Sequence, residues 1–174
     1  VLSVAGLTPM NSIAQILEKT DQVLEAVKPD ALLVLGDTNS ALSVIAAKRR
    51  KIPIFHLEAG NRSFDQRTPE EVNRKIVDHT SDINLTYSEH ARRNLLHEGF
   101  SSNQIFNVWS PMNEIFNFYK LDFDKSKIFS ELQVEKNKYF VVSLHREENV
   151  DDAERLPKLL EAVESTADHF DHDV

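Results

Sequence analysis

Short strand-like runs alternate with helical patterns along most of this chain. The run at residues 31–36 (ALLVLG) has no polar side chain, and further strand-like runs, which include some polar residues, occupy residues 53–57 and 83–87. Continuous apolarity of this kind is typical of parallel strands. Before the first run, at residues 13–27, apolar residues recur with a helical period, and a further helix is predicted between the first two runs, from about residue 40 to residue 50. The alternation predicts an α/β fold built on a doubly wound parallel sheet.

The later part of the chain divides into two further segments. Residues 111–137 have a mixed helical pattern, and a strand-like run (KYFVVSLH) and a helical pattern follow. We therefore predict an N-terminal Rossmann-like domain over residues 1–118, a connector over 119–137, and the start of a second Rossmann-like domain over 138–174.

The composition excludes several classes of protein. A formal net charge of −8 argues against nucleic acid or an anionic membrane as the main partner. The absence of cysteine excludes a disulfide framework, a thiolate nucleophile and a sulfur-ligated zinc. No apolar run reaches the roughly 18 residues of a membrane span, and the opening VLSVAGL is too short for a signal peptide. These features predict a soluble cytoplasmic protein.

Residues 54–78 hold the densest group of ionisable side chains. A helix begins there, with Thr68 as its N-cap and Pro69 at its first position. Glu71 stands three residues after the cap, so we assign it to a capping box. Its neighbour Glu70 has no such capping role, which makes Glu70 the better catalytic candidate.

Two more carboxylates follow predicted strands. Asp37 and Glu58 come directly after neighbouring strands, and ligands of open α/β sheets bind beyond such strand ends. Structural alternatives exist for each residue. Asp37 could cap the next helix, Glu58 could pair with Arg62 or Arg74, and Arg74 could form an i,i+4 ion pair with Glu70.

The histidines divide between structural and functional interpretations. His56 lies inside an apolar strand, which favours a hydrogen-bonded core residue, and His79 ends a helix, where it complements the dipole. His145 ends the predicted strand at residues 138–145 and begins a second polar cluster over residues 145–149. This placement predicts a second domain that faces the first across a cleft, the alternative being a loop with a satisfied histidine.

Together these motifs resemble the non-hydrolysing UDP-N-acetylglucosamine 2-epimerase family, whose members have two Rossmann-like domains as in GT-B glycosyltransferases. The resemblance rests on LVLGDTNS (33–40), FHLEAGNR (55–62), TPEEVNRKIVDH (68–79), SEHARRNLLHEG (88–99), SPMNEIF (110–116) and SLHREEN (143–149). These motifs span most of the chain.

The resemblance implies an enzyme that inverts C2 of a UDP-N-acetylhexosamine by eliminating and re-adding UDP. Its catalytic residues would be Asp37, Glu58, Glu70 and His145. We predict substrate binding by Arg62, Arg74, Arg146, Glu148 and Asn149. The family likeness further implies no cofactor and no metal, a UDP-sugar substrate and a homodimer.

Two departures from the family pattern stand out. Trp109 replaces a usual glycine, and the segments expected at the two ends of the family pattern are absent, so the chain resembles an internal fragment that is inactive alone. The motif AGNR (59–62) favours the branch of the family that forms UDP-N-acetyl-L-fucosamine. The alternatives are a GT-B glycosyltransferase, a fragment that only binds a nucleotide sugar, and a metallophosphoesterase suggested by Leu-Gly-Asp, which lacks the expected Gly-Asn-His-Glu element.

Overall fold

The computed structural model describes residue 6 and residues 8–144, 147–150 and 152–174, with the backbone alone for Glu147 and Glu148. The chain forms two compact units, Val1–Asn113 and Glu114–Val174. The first unit contains helices α1 (Pro9–Val27), α2 (Val44–Arg49), α3 (Pro69–Thr80) and α4 (Glu89–His97), and strands β1 (Leu32–Leu35), β2 (Ile54–Leu57), β3 (Ile83–Thr86) and β4 (Ile105–Asn107). Short 3-10 turns occur at Asn39–Ser43 and Ser102–Gln104.

The four strands form one parallel sheet in the order β1-β2-β3-β4. The predicted α/β fold with a parallel sheet is confirmed. Because all four strands run the same way, their carboxyl ends meet at one edge of the sheet. The loops that follow β1 and β2 therefore lie next to each other, which is the arrangement that places ligands in such folds.

Helices of the first unit cover one face of this sheet. Val34 of β1 and Ile54 of β2 pack with Leu24 of α1 and Val77 of α3 in one buried cluster. In a second cluster, Leu95 of α4 packs against β4. Side chains that alternate with these along β1 and β4 point to the other face and stay exposed: Leu33, Leu35 and Phe106.

Local sequence explains where these helices begin. The Thr8 hydroxyl accepts a hydrogen bond from the Asn11 amide ahead of Pro9, and the Ser88 hydroxyl accepts one from the Ala91 amide at 3.1 Å. Thr68 occupies the predicted N-cap position of α3, but its side chain makes no capping hydrogen bond.

The second unit is mainly helical in the described part. It contains α6 (Lys120–Asp124), α7 (Ile128–Leu132), α8 (Glu147–Val150) and α9 (Arg155–Phe170), and α5 (Met112–Phe118) leads into it from the first unit. Pro157 fits within the first turn of α9 because a helix has no acceptor there for its missing N–H. No helix within the described ranges is long and apolar enough to cross a membrane.

The predicted strand at residues 138–145 is not formed over its described part. Tyr139 makes a single isolated bridge to Asp173, and residues 140–144 have no regular structure. Apolar sequence alone does not make a strand, since a strand also needs a neighbour along its length to accept and donate hydrogen bonds.

Candidate active site at the strand ends

The structure brings Asp37 and Glu58 to the same edge of the sheet. Gly36 and Asp37 follow β1, and Glu58 follows β2, the neighbouring strand. The Glu58 carboxylate lies over Gly36, since its Oε2 atom is 3.7 Å from the position that a Cβ atom on Gly36 would take. The two carboxylates that the sequence placed at adjacent strand ends therefore border one site.

Arg74 reaches from α3 to the Asp37 carboxylate. Its Nε and Nη2 atoms donate to Asp37 Oδ2 at 2.9 and 2.5 Å, and its Nη1 atom donates to Glu71 Oε2 and to the Asn61 carbonyl. Asp37 does not cap the following 3-10 turn, whose N-cap residue is Thr38. Asp37 thus has an arginine partner across the site, and the alternative of a helix cap is excluded.

The assignment of Glu71 to a capping box is wrong. Its fully buried carboxylate accepts hydrogen bonds from the Ser63 amide (2.9 Å) and the Ser63 hydroxyl (3.3 Å) and pairs with Arg74. Burial opposes ionisation of this carboxyl group, but the Ser63 amide and the Arg74 charge outweigh it and hold the pKa of Glu71 below its usual value. Glu71 therefore anchors the loop before α3 and orients Arg74.

Glu70 has the opposite environment. It is exposed in the first turn of α3, and its carboxylate makes no hydrogen bond or ion pair with another residue of the described chain. The alternative ion pair with Arg74 is not formed, because Arg74 pairs with Asp37 and Glu71. Glu70 lies four residues before Arg74 and so on the same side of the helix, one turn nearer its N-terminus.

Glu58 pairs with neither arginine that the sequence offered. Arg62 and Arg74 bind other carboxylates, and the Glu58 side chain accepts a 3.4 Å hydrogen bond from Asn61 Nδ2. Tyr87, directly after β3, lies near enough that burial and the Glu58 charge raise the pKa of its phenol. Sequence analysis missed Tyr87, although its position after a parallel strand could have indicated it.

Close after the ends of β1 and β2, the backbone is left-handed at three positions. Gly36, Glu58 and Gly60 have φ values of +76°, +70° and +79°. Glycine adopts this conformation freely, and at Gly60 a Cβ atom would lie 2.4 Å from the Ala91 carbonyl oxygen. For Glu58 the left-handed conformation costs about 1–2 kcal/mol, so surrounding contacts must hold it.

A buried network lies beneath these strand ends. His56 is fully buried, with Nδ1 2.8 Å from Asp78 Oδ1 and Nε2 3.0 Å from the Gly36 carbonyl, which confirms it as a hydrogen-bonded core residue. Arg62 donates to Asp78 at 2.7 Å and to both oxygens of Glu98, and its side chain is not exposed.

Ion pairs between Arg62 and two carboxylates, Asp78 and Glu98, set the charge state of this network. Burial disfavours the charged form of Arg62, but Glu98 and Asp78 outweigh burial and raise the pKa of Arg62. The bond from Arg62 holds the pKa of Glu98 below its usual value despite partial burial. The role of Arg62 in substrate binding stays a prediction, and the burial of its side chain counts against it.

The second polar cluster is only partly described. His145 and Arg146 lie outside the described residues, and the Glu148 side chain does too. Asn149 is part of α8 in the second unit. Their predicted roles remain predictions. Among the side chains that are described, none form a group of three acidic or histidine residues able to hold a metal ion.

Comparison with known proteins identifies relatives of the chain. Residues 1–174 match the family model described as UDP-N-acetylglucosamine 2-epimerase. A UDP-N-acetylglucosamine 2-epimerase homolog of Methanococcus maripaludis is 43% identical over 151 residues, which are 85% of this chain and 42% of the relative.

Two solved structures have the same fold. The UDP-N-acetylglucosamine 2-epimerase of Rickettsia bellii aligns with a TM-score of 0.89 and 47% identity, over 97% of this chain and 44% of that one. The Methanocaldococcus jannaschii UDP-GlcNAc 2-epimerase, solved in complex with UDP-GlcNAc and UDP, aligns with a TM-score of 0.89 and 34% identity, over 98% of this chain and 48% of that one. The chain spans somewhat less than half the length of the proteins it matches.

Proposed function

The chain belongs to the UDP-N-acetylglucosamine 2-epimerase family, and we propose on that basis that it carries part of the active site of a UDP-N-acetylhexosamine 2-epimerase. The complete reaction inverts one carbon of the sugar and changes nothing else. The substrate proposed is a UDP-N-acetylhexosamine of the glucosamine and mannosamine pair, with UDP-N-acetyl-L-fucosamine formation from its talosamine epimer as the alternative.

The C2 proton of such a sugar is not acidic, so inversion needs an indirect route. A base takes the C2 proton, the electron pair of that C–H bond forms a C1=C2 double bond, and the C1–O bond breaks with its pair leaving on UDP. The glycal that results is planar at C2. An acid then delivers a proton to the opposite face of C2, and UDP adds again at C1.

This route requires two groups that exchange protons, one on each face of the ring, together with stabilisation of positive charge at C1 and negative charge on UDP. We assign the proton transfers and the charge at C1 to three carboxylates: Asp37, Glu58 and Glu70. Arg74, His145 and Arg146 would stabilise the departing diphosphate, with Glu148 and Asn149 on the substrate. Which carboxylate serves which face is left open.

The observation that carries the proposal is the different setting of two neighbouring carboxylates. Asp37 is bound by Arg74 through two donors, while Glu58 lies beside it without an arginine partner and close to the Tyr87 phenol. Two carboxylates at one edge of the sheet, one held by an arginine and the other without one, supply the pair of proton-exchanging groups that the two faces of the sugar ring require.

Proton NMR in D2O tests the reaction. The protein is incubated with UDP-N-acetylglucosamine, and separately with the UDP-linked 6-deoxy-talosamine derivative, and deuterium is followed at C2. We expect incorporation with one of the two, and the substrate that exchanges identifies the branch. Transfer of the sugar to an acceptor without deuterium at C2 would instead indicate a GT-B glycosyltransferase.

A pair of glutamate variants tests the assignment of Glu70. Glu70→Gln removes a proton-transfer group and should lower the exchange rate by about 10²–10⁴-fold with the fold intact. Glu25→Gln is the control, because Glu25 is also an exposed helical glutamate but lies in the last turn of α1, before β1 begins, and pairs with Arg50 at the edge of the sheet opposite to the site. Equal rates for both variants would exclude Glu70 from the chemistry.

The family likeness also supports a homodimer that works in the cytoplasm, and both belong to this proposal. The mass of the full-length protein in solution, from light scattering, tests the dimer. A monomer at micromolar concentration would contradict it.

A further inference from the structure

Asp78 belongs to α3, yet its carboxylate binds the loop that follows β2. Both of its oxygens accept the Gly60 N–H, at 3.3 and 3.2 Å, and Oδ2 also accepts from Arg62 Nη1 at 2.7 Å. Asp78 is completely buried. The backbone turn that contains Glu58 and Gly60 is therefore held to α3 by the Asp78 carboxylate.

His56 extends this contact to the neighbouring strand end. Its Nδ1 atom faces Asp78 Oδ1 at 2.8 Å, and its Nε2 atom faces the Gly36 carbonyl at 3.0 Å. Each ring nitrogen is thus within hydrogen-bond distance of an oxygen that accepts hydrogen bonds. Through one imidazole ring, the same carboxylate holds the backbone after β1.

The two backbone groups that are held lie beside the two candidate carboxylates. Gly36 immediately precedes Asp37, and Gly60 lies two residues after Glu58. Between these two glycines, Glu58 has a positive φ that a non-glycine residue adopts only at a cost, so its backbone depends on contacts that fix it. None of these backbone contacts involves the side chains of Asp37 or Glu58.

We propose that Asp78 and His56 are positioning residues, forming an Asp78–His56 clamp that sets the spacing of the Asp37 and Glu58 carboxylates. The inference rests on the proposed function, since its consequence is for proton transfer at C2. A carboxylate suits the task because it only accepts hydrogen bonds, and the Gly60 amide and the Arg62 guanidinium both donate to it. An asparagine would place an NH2 group against at least one of these donors.

Asp82 provides a matched control in the same structure. Like Asp78, it is an aspartate whose carboxylate accepts one hydrogen bond from a backbone amide, that of Ile54 at 2.9 Å, and one from a cationic side chain, Lys48 Nζ at 2.6 Å. Ile54, however, is the first residue of β2, so Asp82 acts at the end of the strand opposite to Glu58. Asp78→Asn and Asp82→Asn therefore remove similar interactions at opposite ends of one strand.

The test compares both variants in the full-length protein at a temperature where each is folded. For C2 deuterium exchange, we expect Asp78→Asn to lower kcat by about 10–100-fold with KM changed less than about threefold, since a misplacement near 1 Å costs that much in rate. Asp82→Asn should keep the kcat of the unsubstituted protein. Unchanged kcat in Asp78→Asn, or equal loss in both variants, would overturn the positioning role.

Amide exchange of Gly60, read by NMR, tests the clamp without any sugar chemistry. Asp78→Asn should speed exchange of this amide at least about tenfold, and Asp82→Asn should not. Unchanged protection in Asp78→Asn would overturn the clamp even if kcat fell. If the unsubstituted protein exchanged no deuterium at C2, the proposed function would fail, and the clamp would still be decided by the Gly60 amide.

Discussion

The two units of the chain differ sharply in how much they bury. In the first unit, Ile54, Val77 and Leu95 are completely buried between the sheet and its helices. In the described part of the second unit, Ala167 is the one buried residue, and larger apolar side chains such as Leu121 are mostly exposed.

The difference shows which unit can hold a side chain in a fixed position. A parallel sheet fixes its strand ends through many hydrogen bonds at once. The network around Asp78 adds further hydrogen bonds that are buried away from solvent. Helices α6 and α7 have five residues each, too few to be stable from their own hydrogen bonds. The candidate carboxylates whose side chains are described, Asp37, Glu58 and Glu70, all belong to the first unit, which has the buried core.

Substituting one leucine in each unit is the strongest test of this comparison. Leu95→Ala removes a completely buried side chain and should lower the free energy of unfolding of the first unit by about 2–5 kcal/mol. Leu121→Ala, in α6, should change stability by less than about 0.5 kcal/mol, because Leu121 is 70% exposed. Amide exchange at increasing urea, read by mass spectrometry on peptides of each unit, measures both. Similar losses in the two variants would mean that the second unit has an interior of its own.

Much of the first unit could be predicted from local sequence. The apolar run at residues 31–36 contains β1, Pro69 begins α3, and Ser88 caps α4, since each of these signals acts within a few residues. The strand predicted at residues 138–145 failed over its described part because pairing depends on a neighbour that the run itself does not specify.

In the candidate site, too, some features could be predicted from the sequence and others depended on distant partners. The positions of Asp37 and Glu58 at adjacent strand ends followed from the order of strands. The partner of Arg74 did not, because the i,i+4 rule offers Glu70 whereas the fold supplies Asp37, 37 residues away in sequence. Glu71 was misassigned for a similar reason, since its partner Ser63 lies in a loop whose path no local rule predicts.

The contribution of Glu71 to the stability of the first unit should depend on pH. Its pKa is lowered in the folded protein, so its contribution to stability is present above the unfolded value of about 4.3 and is lost as pH falls through the lower folded value. We expect Glu71→Gln to cost about 1–3 kcal/mol at pH 7, because the buried Arg74 contact loses its charge partner. The difference from the unsubstituted protein should shrink below about pH 4. Urea unfolding at several pH values measures it.

An exposed glutamate of the second unit is the control for this prediction. The bond from Lys138 lowers the pKa of Glu135, but both side chains are largely exposed to solvent. Glu135→Gln should therefore leave the unfolding midpoint unchanged at every pH. A pH-dependent loss in this variant as large as that of Glu71→Gln would remove the distinction between the units.

The smallest expected effect concerns two helix ends with the same backbone. Lys51 follows α2 and Gln133 follows α7, and both are exposed with φ near +60°, at +61° and +58°. Glycine relieves the left-handed conformation, although it also gives the unfolded chain more freedom, so Lys51→Gly should stabilise the first unit by about 0.5–1 kcal/mol.

Gln133→Gly relieves the same conformation at the end of a five-residue helix. If that helix opens on its own, without unfolding the rest of its unit, the gain is confined to a few amides around residues 128–134 and never reaches a global transition. Amide exchange should then slow across many peptides of the first unit for Lys51→Gly, but only locally for Gln133→Gly. Slower exchange throughout the second unit would show instead that its helices unfold together, and that low burial does not prevent them from acting as one cooperative body.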